Sequence, residues 1–130
     1  MKLGVSSYSF SKYIAQTGAS YLDICNEAKR IGYDGIEFID LSLDIQPAAS
    51  LQELARTIRS HCESIGLEIA AYTVGADFLN RGPGEIDRVK GQADIAALLG
   101  AKTMRHEVRQ VLPWAHMPLI ECHFDTVYLG

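Results

Sequence analysis

A carboxylate lies in the middle of a stretch that otherwise has the composition of a buried strand. Residues 35–39 read GIEFI, in which apolar branched and aromatic residues surround Glu37. Carboxylates are rarely buried without a partner, because removing their charge from water is costly. Two interpretations follow. Glu37 is a catalytic group that faces a polar pocket, or it is a structural glutamate paired with an interior arginine or lysine.

A histidine ends a second stretch of strand character further along the chain. His106 lies at the end of TMRHEV, and its imidazole could line a substrate pocket and transfer protons near neutral pH. The alternative is an ordinary strand-end histidine that hydrogen-bonds to the backbone. Arg105 and Glu107 flank it on the opposite face, where we expect a local ion pair. Glu37 and His106 are the two predicted catalytic residues.

Two tyrosines and one loop complete the set of candidate residues. Tyr8 and Tyr72 fall in predicted strands and are candidate substrate-binding residues, although tyrosines at such positions also serve as core aromatics. The loop GADFLNRGPGE carries Asp77, Asn80 and Arg81. These three could form an active-site rim, and ordinary solvated loop polarity explains them equally well.

A glycine repeat shows which elements must position these side chains. Gly32, Gly66 and Gly100 each follow Ile or Leu and lie 34 residues apart, with a helical pattern before each and an apolar stretch after it. Glycine just past a helix supplies the left-handed conformation that closes it. Ser50 and Glu53 predict a capping box at the start of the second helix. The apolar spacing predicts three buried helix faces: Tyr21, Ile24, Cys25, Ala28 and Ile31; Leu51, Leu54, Ala55, Ile58, Cys62 and Ile65; Ile86, Val89, Ala93, Ala96 and Ala97.

The order of these elements predicts an α/β fold built from parallel βα units. With residues 2–10 as an opening strand, the order is β-α-β-α-β-α-β, and strands joined by helical crossovers run parallel. Both a (β/α)8 barrel and a doubly wound open sheet accept this order. The constant spacing favours the barrel, and no G-x-G-x-x-G follows the first strand. Because side chains alternate along a barrel strand, Ile36 and Phe38 should face the helices and Glu37 the interior.

The composition excludes several classes of partner. The chain has 130 residues, a formal net charge of −4 and no basic stripe, so nucleic acid is not an expected partner. No run of roughly 18 apolar residues is present, so no membrane association is expected. The three cysteines, Cys25, Cys62 and Cys122, have no C-x-x-C spacing. We interpret them as reduced thiols of a cytoplasmic protein.

Four stretches together resemble the first half of a known family of barrels. MKLGVSSYSF, IGYDGIEF, IGLEIAAYTVGADF and AALLGAKTMRHEV look like the first four βα units of the xylose-isomerase-like TIM barrels. That family includes sugar phosphate isomerases and epimerases, inosose dehydratases and, more distantly, endonuclease IV. The resemblance covers residues 1–108, and its specificity lies in the four stretches occurring in order at the right spacing.

The resemblance implies a metal-dependent reaction on a sugar, a sugar phosphate or a cyclitol. In the family a divalent ion (Mn²⁺, Mg²⁺, Co²⁺ or Zn²⁺) grips adjacent substrate oxygens, while carboxylate or histidine groups move a proton. The resemblance also implies that Glu37 points toward the mouth of the barrel. A histidine at the position of His106 lines the substrate pocket in the family, and in the endonuclease branch it ligates metal.

Residues 109–130 depart from the family pattern and form an atypical tail. Pro113 and Pro118 lie five residues apart, which denies the regular helix expected there. The metal ligands of the family, two Glu, an Asp and a His, come from later strands. We therefore expect that the chain is truncated, and that by itself it binds no metal and is inactive.

One part of the tail has a pattern that could be interpreted as a metal site. The stretch ECHFD places Glu121, His123 and Asp125 on one face if it forms a strand. Three alternate positions of a strand span about 13 Å, which is too far to converge on one ion. An irregular tail that happens to contain polar residues is the favoured interpretation.

The sequence leaves three functional interpretations. The first is an isomerase- or epimerase-type protein, and the second is a non-catalytic half-barrel that acts through self-association. The third, an abasic-site nuclease relative, is the weakest because the cations that phosphate contacts need are lacking.

Self-association is expected because four strands make half a barrel, which leaves two strand edges unpaired and the inner face of the sheet exposed to water. We expect that face to carry Tyr8, Glu37, Tyr72 and His106.

Overall fold

The computed structural model describes residues 1–109 and 121–128, with side chains described through residue 107. The elements in chain order are β1 (Gly4–Ser6), a 3-10 helix (Ser7–Phe10), α1 (Ser11–Thr17), α2 (Tyr21–Ile31), β2 (Gly35–Ile39), α3 (Leu51–Ile65), β3 (Glu68–Ala76), α4 (Gly84–Leu99), β4 (Thr103–Arg109) and β5 (Glu121–Tyr128). No helix in the described part of the chain is long and apolar enough to cross a membrane.

The strands form a single open sheet in the order β1-β2-β3-β4-β5. The first four strands are parallel, as predicted from the βα order. The fold is therefore α/β, with four parallel strands in the arrangement of a partial barrel. β5 runs antiparallel to β4, with Thr103 opposite Tyr128. The expectation of an irregular tail is wrong for residues 121–128, and residues 110–120 lie outside the described part.

The helices close at the three repeat glycines, as the sequence predicts. Gly32, Gly66 and Gly100 have φ values of 110°, 69° and 70° and follow α2, α3 and α4. A side chain is strained in this conformation, which explains the glycine at each position. Ser50 accepts a hydrogen bond from the Glu53 N–H, which is half of the predicted capping box. A capping box with both halves present begins α2.

The predicted opening strand is shorter than expected. Only Gly4–Ser6 pairs with β2, and a 3-10 helix and α1 follow it. The serines explain the change, because they offer the backbone local hydrogen bonds that compete with a strand. The Ser6 hydroxyl accepts from the Tyr8 N–H at 3.3 Å, and the Ser11 hydroxyl donates to the Tyr8 carbonyl at 2.6 Å. Tyr8 therefore lies beyond the end of β1.

The buried face of α4 is rotated from the predicted one. Ile86 is 53% exposed and Ala97 is also exposed, although both were predicted to be buried. The buried positions are Glu85, Ile95, Ala96 and Leu99. The spacing of apolar residues does not indicate this face, because one of its buried positions is a carboxylate. Glu85, near the N-terminal end of α4, is buried and pairs with Arg88 one turn away.

The two faces of the sheet differ in character. Ile36, Phe38, Tyr72, Val74 and Met104 belong to the apolar core that the strands share with the helices. The opposite face, which we call the inner face, carries Glu37, Thr73 and Arg105.

Two candidate residues do not lie on the inner face as expected. Tyr72 is in register with Phe38, and His106 is in register with Val74, so both project toward the helix side. Parallel neighbours in register share a face, which is why the expected grouping of these two residues with Glu37 is wrong.

Candidate functional site

Glu37 is held by an arginine and a threonine from the neighbouring strands. One terminal nitrogen of Arg105, on β4, lies 3.0 Å from each carboxylate oxygen of Glu37. The Thr73 hydroxyl, on β3, donates to Oε1 at 3.0 Å. The Glu37 and Arg105 side chains are 22% and 33% exposed, so the pair is only partly screened by water. The carboxylate is therefore fixed on the inner face by side chains from β3 and β4.

This contact bears on both interpretations of Glu37. It matches the expected interior ion pair of a structural glutamate. It also orients the carboxylate rigidly, which a catalytic group requires. Arg105 contacts Glu37 across the sheet, although the two residues are 68 positions apart in the sequence. The local pair expected between Arg105 and Glu107 stays a prediction.

A cavity opens at the carboxyl ends of β2, β3 and β4. Its volume is about 460 Å³, and its charged lining residues are Asp40, Asp77, Arg81, Arg88 and Glu107. Thr73 also lines it, and this connects the cavity to the Glu37 ion pair. Barrels bind their substrates at this end of the strands. The size and polarity suit a small hydroxylated molecule.

Asp40 follows β2 directly and adopts an unusual backbone conformation. Its φ is +36°, the only positive value among non-glycine residues in the described segments. The carboxylate accepts the Gly75 N–H at 3.2 and 3.3 Å, and the Asp40 N–H donates to the Thr73 carbonyl at 2.9 Å. These bonds hold a strained residue at the cavity wall, which is typical of functional sites. Asp40 is not among the residues predicted from the sequence, although a carboxylate just after a barrel strand is a signal that could indicate it.

A buried carboxylate and an arginine hold the loop between β3 and α4. The Glu85 side chain is 2% exposed and accepts from Arg88 at 2.7 and 2.9 Å. It also accepts the Asp77 N–H at 2.9 Å, and Arg88 donates to the Gly75 carbonyl. The Arg88 guanidinium, followed by the Asp77 N–H, lowers the pKa of Glu85 to about 2. Sequence reasoning missed this network, which fixes the cavity wall.

The stability that Glu85 contributes should depend on pH. Its pKa is near 2 in the folded protein and ordinarily 4.5, so the contribution is present above pH 4.5 and is lost as the pH falls toward 2. In Glu85→Gln, the loss of unfolding free energy relative to the parent chain should shrink across this interval. Urea unfolding at a series of pH values measures it. The exposed Glu63→Gln serves as control, and a pH-independent difference for Glu85→Gln would contradict the assignment.

The three loop candidates have different contacts. Asp77 accepts from the backbone and side-chain amides of Asn80 at 3.0–3.1 Å, so these two residues support the loop itself. Arg81 is 60% exposed and lies 3.9 Å from Glu85. Asp77 and Arg81 both line the cavity.

The remaining sequence candidates are not brought together with Glu37. His106 lies on the helix side of β4, where its ring meets Phe78 edge-on at a centroid distance of 6.2 Å. Tyr8 is 73% exposed at the end of β1 and lines a second, smaller cavity of about 200 Å³ with Ser7 and Tyr21. The structure therefore places Glu37 on the inner face, His106 on the helix side of the sheet and Tyr8 at an exposed position just after β1.

Tyr72 is a core residue in this structure rather than a cavity residue. It has no exposed surface, and its hydroxyl accepts from the Leu41 N–H at 3.2 Å and donates to the Gln92 side chain at 2.7 Å. Burial raises the pKa of Tyr72 above its ordinary value. The Tyr72 hydroxyl therefore joins β3 to α4. The predicted substrate contact of Tyr72 stays a prediction.

Removing this hydroxyl should destabilise the fold. Tyr72→Phe leaves the Leu41 N–H and the Gln92 carbonyl oxygen without their partner, which costs about 1–3 kcal/mol. Chemical denaturation of the parent and the variant measures the difference. Tyr8→Phe, at an exposed tyrosine, is the matched control and should change stability by less than about 0.5 kcal/mol. Equal effects for the two variants would contradict the core role of Tyr72.

The described side chains do not by themselves form a metal site. Within residues 1–107, no three His, Cys, Asp or Glu side chains converge on one point. Arg105 contacts both oxygens of Glu37, and this arrangement does not suit a metal ligand. The tail candidates Glu121, His123 and Asp125 lie in β5, where the backbone alone is described.

Comparison with solved structures identifies the fold. The probable 3-DHS dehydratase AsbF of Bacillus anthracis, involved in petrobactin synthesis, superposes with a TM-score of 0.62 at 21% identity over 85% of this chain and 39% of its own. A xylose isomerase-like TIM barrel/4-hydroxyphenylpyruvate dioxygenase fusion protein gives 0.60 and 18% over 85% of this chain and 17% of its own. Neither a protein-family model nor a curated relative matches the chain.

These similarities concern the fold, and they cover part of each neighbour. The fusion protein is described as containing a xylose isomerase-like TIM barrel, and the four parallel strands have the fold of part of such a barrel. The chain spans less than half the length of either neighbour. The predicted barrel-type architecture is confirmed at this level.

Proposed function

We propose that this chain supplies the first four βα units of a xylose-isomerase-like barrel that catalyses proton transfer on a sugar, a sugar phosphate or a cyclitol. The observation that carries the proposal is the Glu37 carboxylate, which Thr73 and Arg105 hold on the inner face. Thr73 also lines the polar cavity at the carboxyl ends of β2, β3 and β4. A carboxylate held in this way can accept a proton from, or hydrogen-bond to, a bound hydroxyl group.

The neighbouring side chains have distinct roles in this proposal. Thr73 and Arg105 orient the Glu37 oxygens, and the positive charge of Arg105 would also stabilise an oxyanion that develops on the substrate. Asp40 and Asp77 line the cavity and offer acceptors for sugar hydroxyls. In the family a divalent ion supplies Lewis-acid stabilisation. The described residues do not assemble its ligands, which in the family come from later strands.

Ligand titration followed by amide NMR tests the proposal. A ketose phosphate, an aldose and a cyclitol, each with and without Mg²⁺, should shift the amide signals of Asp40, Gly75 and Asp77. Asp40→Asn should weaken the response, because it removes a carboxylate from the cavity wall. The remote Glu63→Gln should leave it unchanged. If none of the three ligand classes perturbs these amides, the cavity is not a sugar site and the proposal fails.

Turnover by the isolated chain is a separate expectation. We expect no isomerase or epimerase activity above background with Mn²⁺, Mg²⁺ or Co²⁺, because the proposed metal ligands belong to the other half of the barrel. Purified chain, assayed with a ketose phosphate and each metal, provides the measurement. Substantial metal-dependent turnover would show that this chain contains its own metal site.

A non-catalytic half-barrel that acts through self-association is the second candidate. The open sheet favours it, since two chains would supply the eight parallel strands of a barrel. In this structure, however, β5 occupies the outer edge of β4, so closing such a barrel requires β5 to leave. Sedimentation at micromolar concentration distinguishes the outcomes. A compact, cooperatively melting monomer would exclude this candidate.

A further inference from the structure

Two buried thiols face each other between α2 and α3. The sulfur atoms of Cys25 and Cys62 lie 3.5 Å apart, although the residues are 37 positions apart in the sequence. Cys25 has no exposed surface and Cys62 is 1% exposed. A disulfide requires a sulfur–sulfur distance of about 2.05 Å, so the gap to close is about 1.5 Å.

Two further contacts fix the helices on either side of the thiols. Asn26 Oδ1 and His61 Nε2 lie 2.6 Å apart, one position along each helix from the cysteines. One turn further along α2, Lys29 Nζ donates to the carbonyl oxygen of Gly66, the residue that closes α3, at 3.0 Å. These contacts hold α2 and α3 in a register that keeps Cys25 opposite Cys62.

We propose that Cys25 and Cys62 form a reversible disulfide that covalently links α2 to α3 when the protein meets a peroxide. The Cys62 thiolate attacks one oxygen of hydrogen peroxide and the O–O bond breaks, which gives a sulfenic acid and a hydroxide ion. The hydroxide takes up the proton that the Cys62 thiol released on ionising and becomes water. The Cys25 sulfur then attacks the Cys62 sulfur, the S–O bond breaks, and the thiol proton leaves with hydroxide as a second water. Two thiols are oxidised by two electrons in total, and a dithiol reductant restores them.

The opposite pKa shifts of the two thiols support a reaction in which Cys62, and not Cys25, attacks the peroxide. The hydrogen bond between the two sulfur atoms, in which either can be the donor, lowers the pKa of Cys62 and, together with burial, raises the pKa of Cys25. The thiolate is the nucleophilic form, so Cys62 reacts first. Because both thiols are buried, the reaction should be slower than that of an exposed thiol and should favour a small oxidant.

The link would close a loop that contains two residues of the proposed site. The segment between the two cysteines includes β2 with Glu37 and, directly after it, Asp40. Closing a loop of this length restricts the unfolded chain and should raise the melting temperature by roughly 10 °C. The disulfide would therefore act as a redox-dependent restraint on the strand that carries Glu37. The inference goes beyond the proposed function and does not depend on it.

Oxidation of the folded chain tests the inference. The full chain carrying Cys122→Ser is treated with hydrogen peroxide, and the wild type is mapped in parallel. We expect loss of both thiols, a mass decrease of two hydrogens and a linked peptide pair containing Cys25 and Cys62. The melting temperature should rise and return to its starting value with dithiothreitol. The single variants Cys25→Ala and Cys62→Ala should give neither the linked peptides nor the reversible rise.

Several outcomes would overturn the inference. One is that the linked peptides form only after the chain is unfolded in urea, while the folded chain keeps both thiols under the same oxidant. Another is that the folded chain yields only sulfenic or sulfinic acid, or only disulfides between chains. A link that forms in the folded chain but lowers the melting temperature would show that it strains the helices instead of restraining them.

Discussion

Glu37→Gln is expected to lower kcat by more than tenfold in a full-length relative that carries the same GIEF strand, while the fold remains intact. The amide keeps the size of the side chain and its place beside Thr73 and Arg105, but it cannot accept a proton as a carboxylate does. General acid–base groups typically contribute 10²–10⁴-fold to the rate, so a tenfold loss is a conservative threshold. Steady-state kinetics and circular dichroism of the parent and the variant measure the effect.

Arg105→Met is the matched control, because it breaks the same ion pair and keeps the carboxylate. For each variant, the loss of kcat is compared with the loss of unfolding free energy. If Glu37 is catalytic, the loss of kcat for a given loss of stability should be larger in Glu37→Gln than in Arg105→Met. If Glu37→Gln keeps full activity but melts markedly lower, the carboxylate is a member of a structural ion pair. That outcome would remove the main support for the proposed function.

Phe38→Ala is expected to lower the free energy of unfolding by about 3–5 kcal/mol, as large-to-small changes at buried aromatics do. The Phe38 side chain has no exposed surface, and its ring meets Tyr21 of α2 edge-on at a centroid distance of 5.8 Å. The substitution removes this contact and leaves a cavity between β2 and the helix layer. Urea unfolding monitored by circular dichroism measures the loss.

Phe38→Leu is the control for this prediction, because it keeps most of the apolar volume and should cost clearly less. The comparison also tests the alternation on which the site depends, since Phe38 faces the helices only if Glu37 faces the other way. A loss below about 1 kcal/mol for Phe38→Ala would mean that the phenyl ring is not buried. The face assigned to Glu37 would then be wrong as well.

The sequence by itself predicted the elements that local physics encodes. Gly32, Gly66 and Gly100 ended the helices where the repeat placed them, because the left-handed conformation they adopt is a property of the residue itself. The alternation along GIEFI placed Phe38 in the core and Glu37 on the other face, since the strand period is two. The parallel order followed from the alternation of strands and helices.

The prediction of secondary structure and of buried faces was wrong where side-chain hydrogen bonds competed with the pattern of apolar residues. At the N-terminus, side-chain hydrogen bonds of the serines gave a 3-10 helix in place of a longer strand. In α4, the buried position of Glu85 depends on Arg88 and on the Asp77 N–H, so the apolar pattern gave the wrong face. Such positions follow from specific pairing and not from periodicity.

Only the tertiary structure decided which side chains meet. Arg105 is the partner of Glu37 because β3 lies between β2 and β4 and sets their register, and no spacing within the sequence encodes that distance. The same register placed His106 behind the sheet, since a shift of one residue moves a side chain to the other face. The sequence thus determined the βα units and the face of Glu37, whereas the packing of three strands determined the partners of Glu37 and the cavity that Thr73 lines.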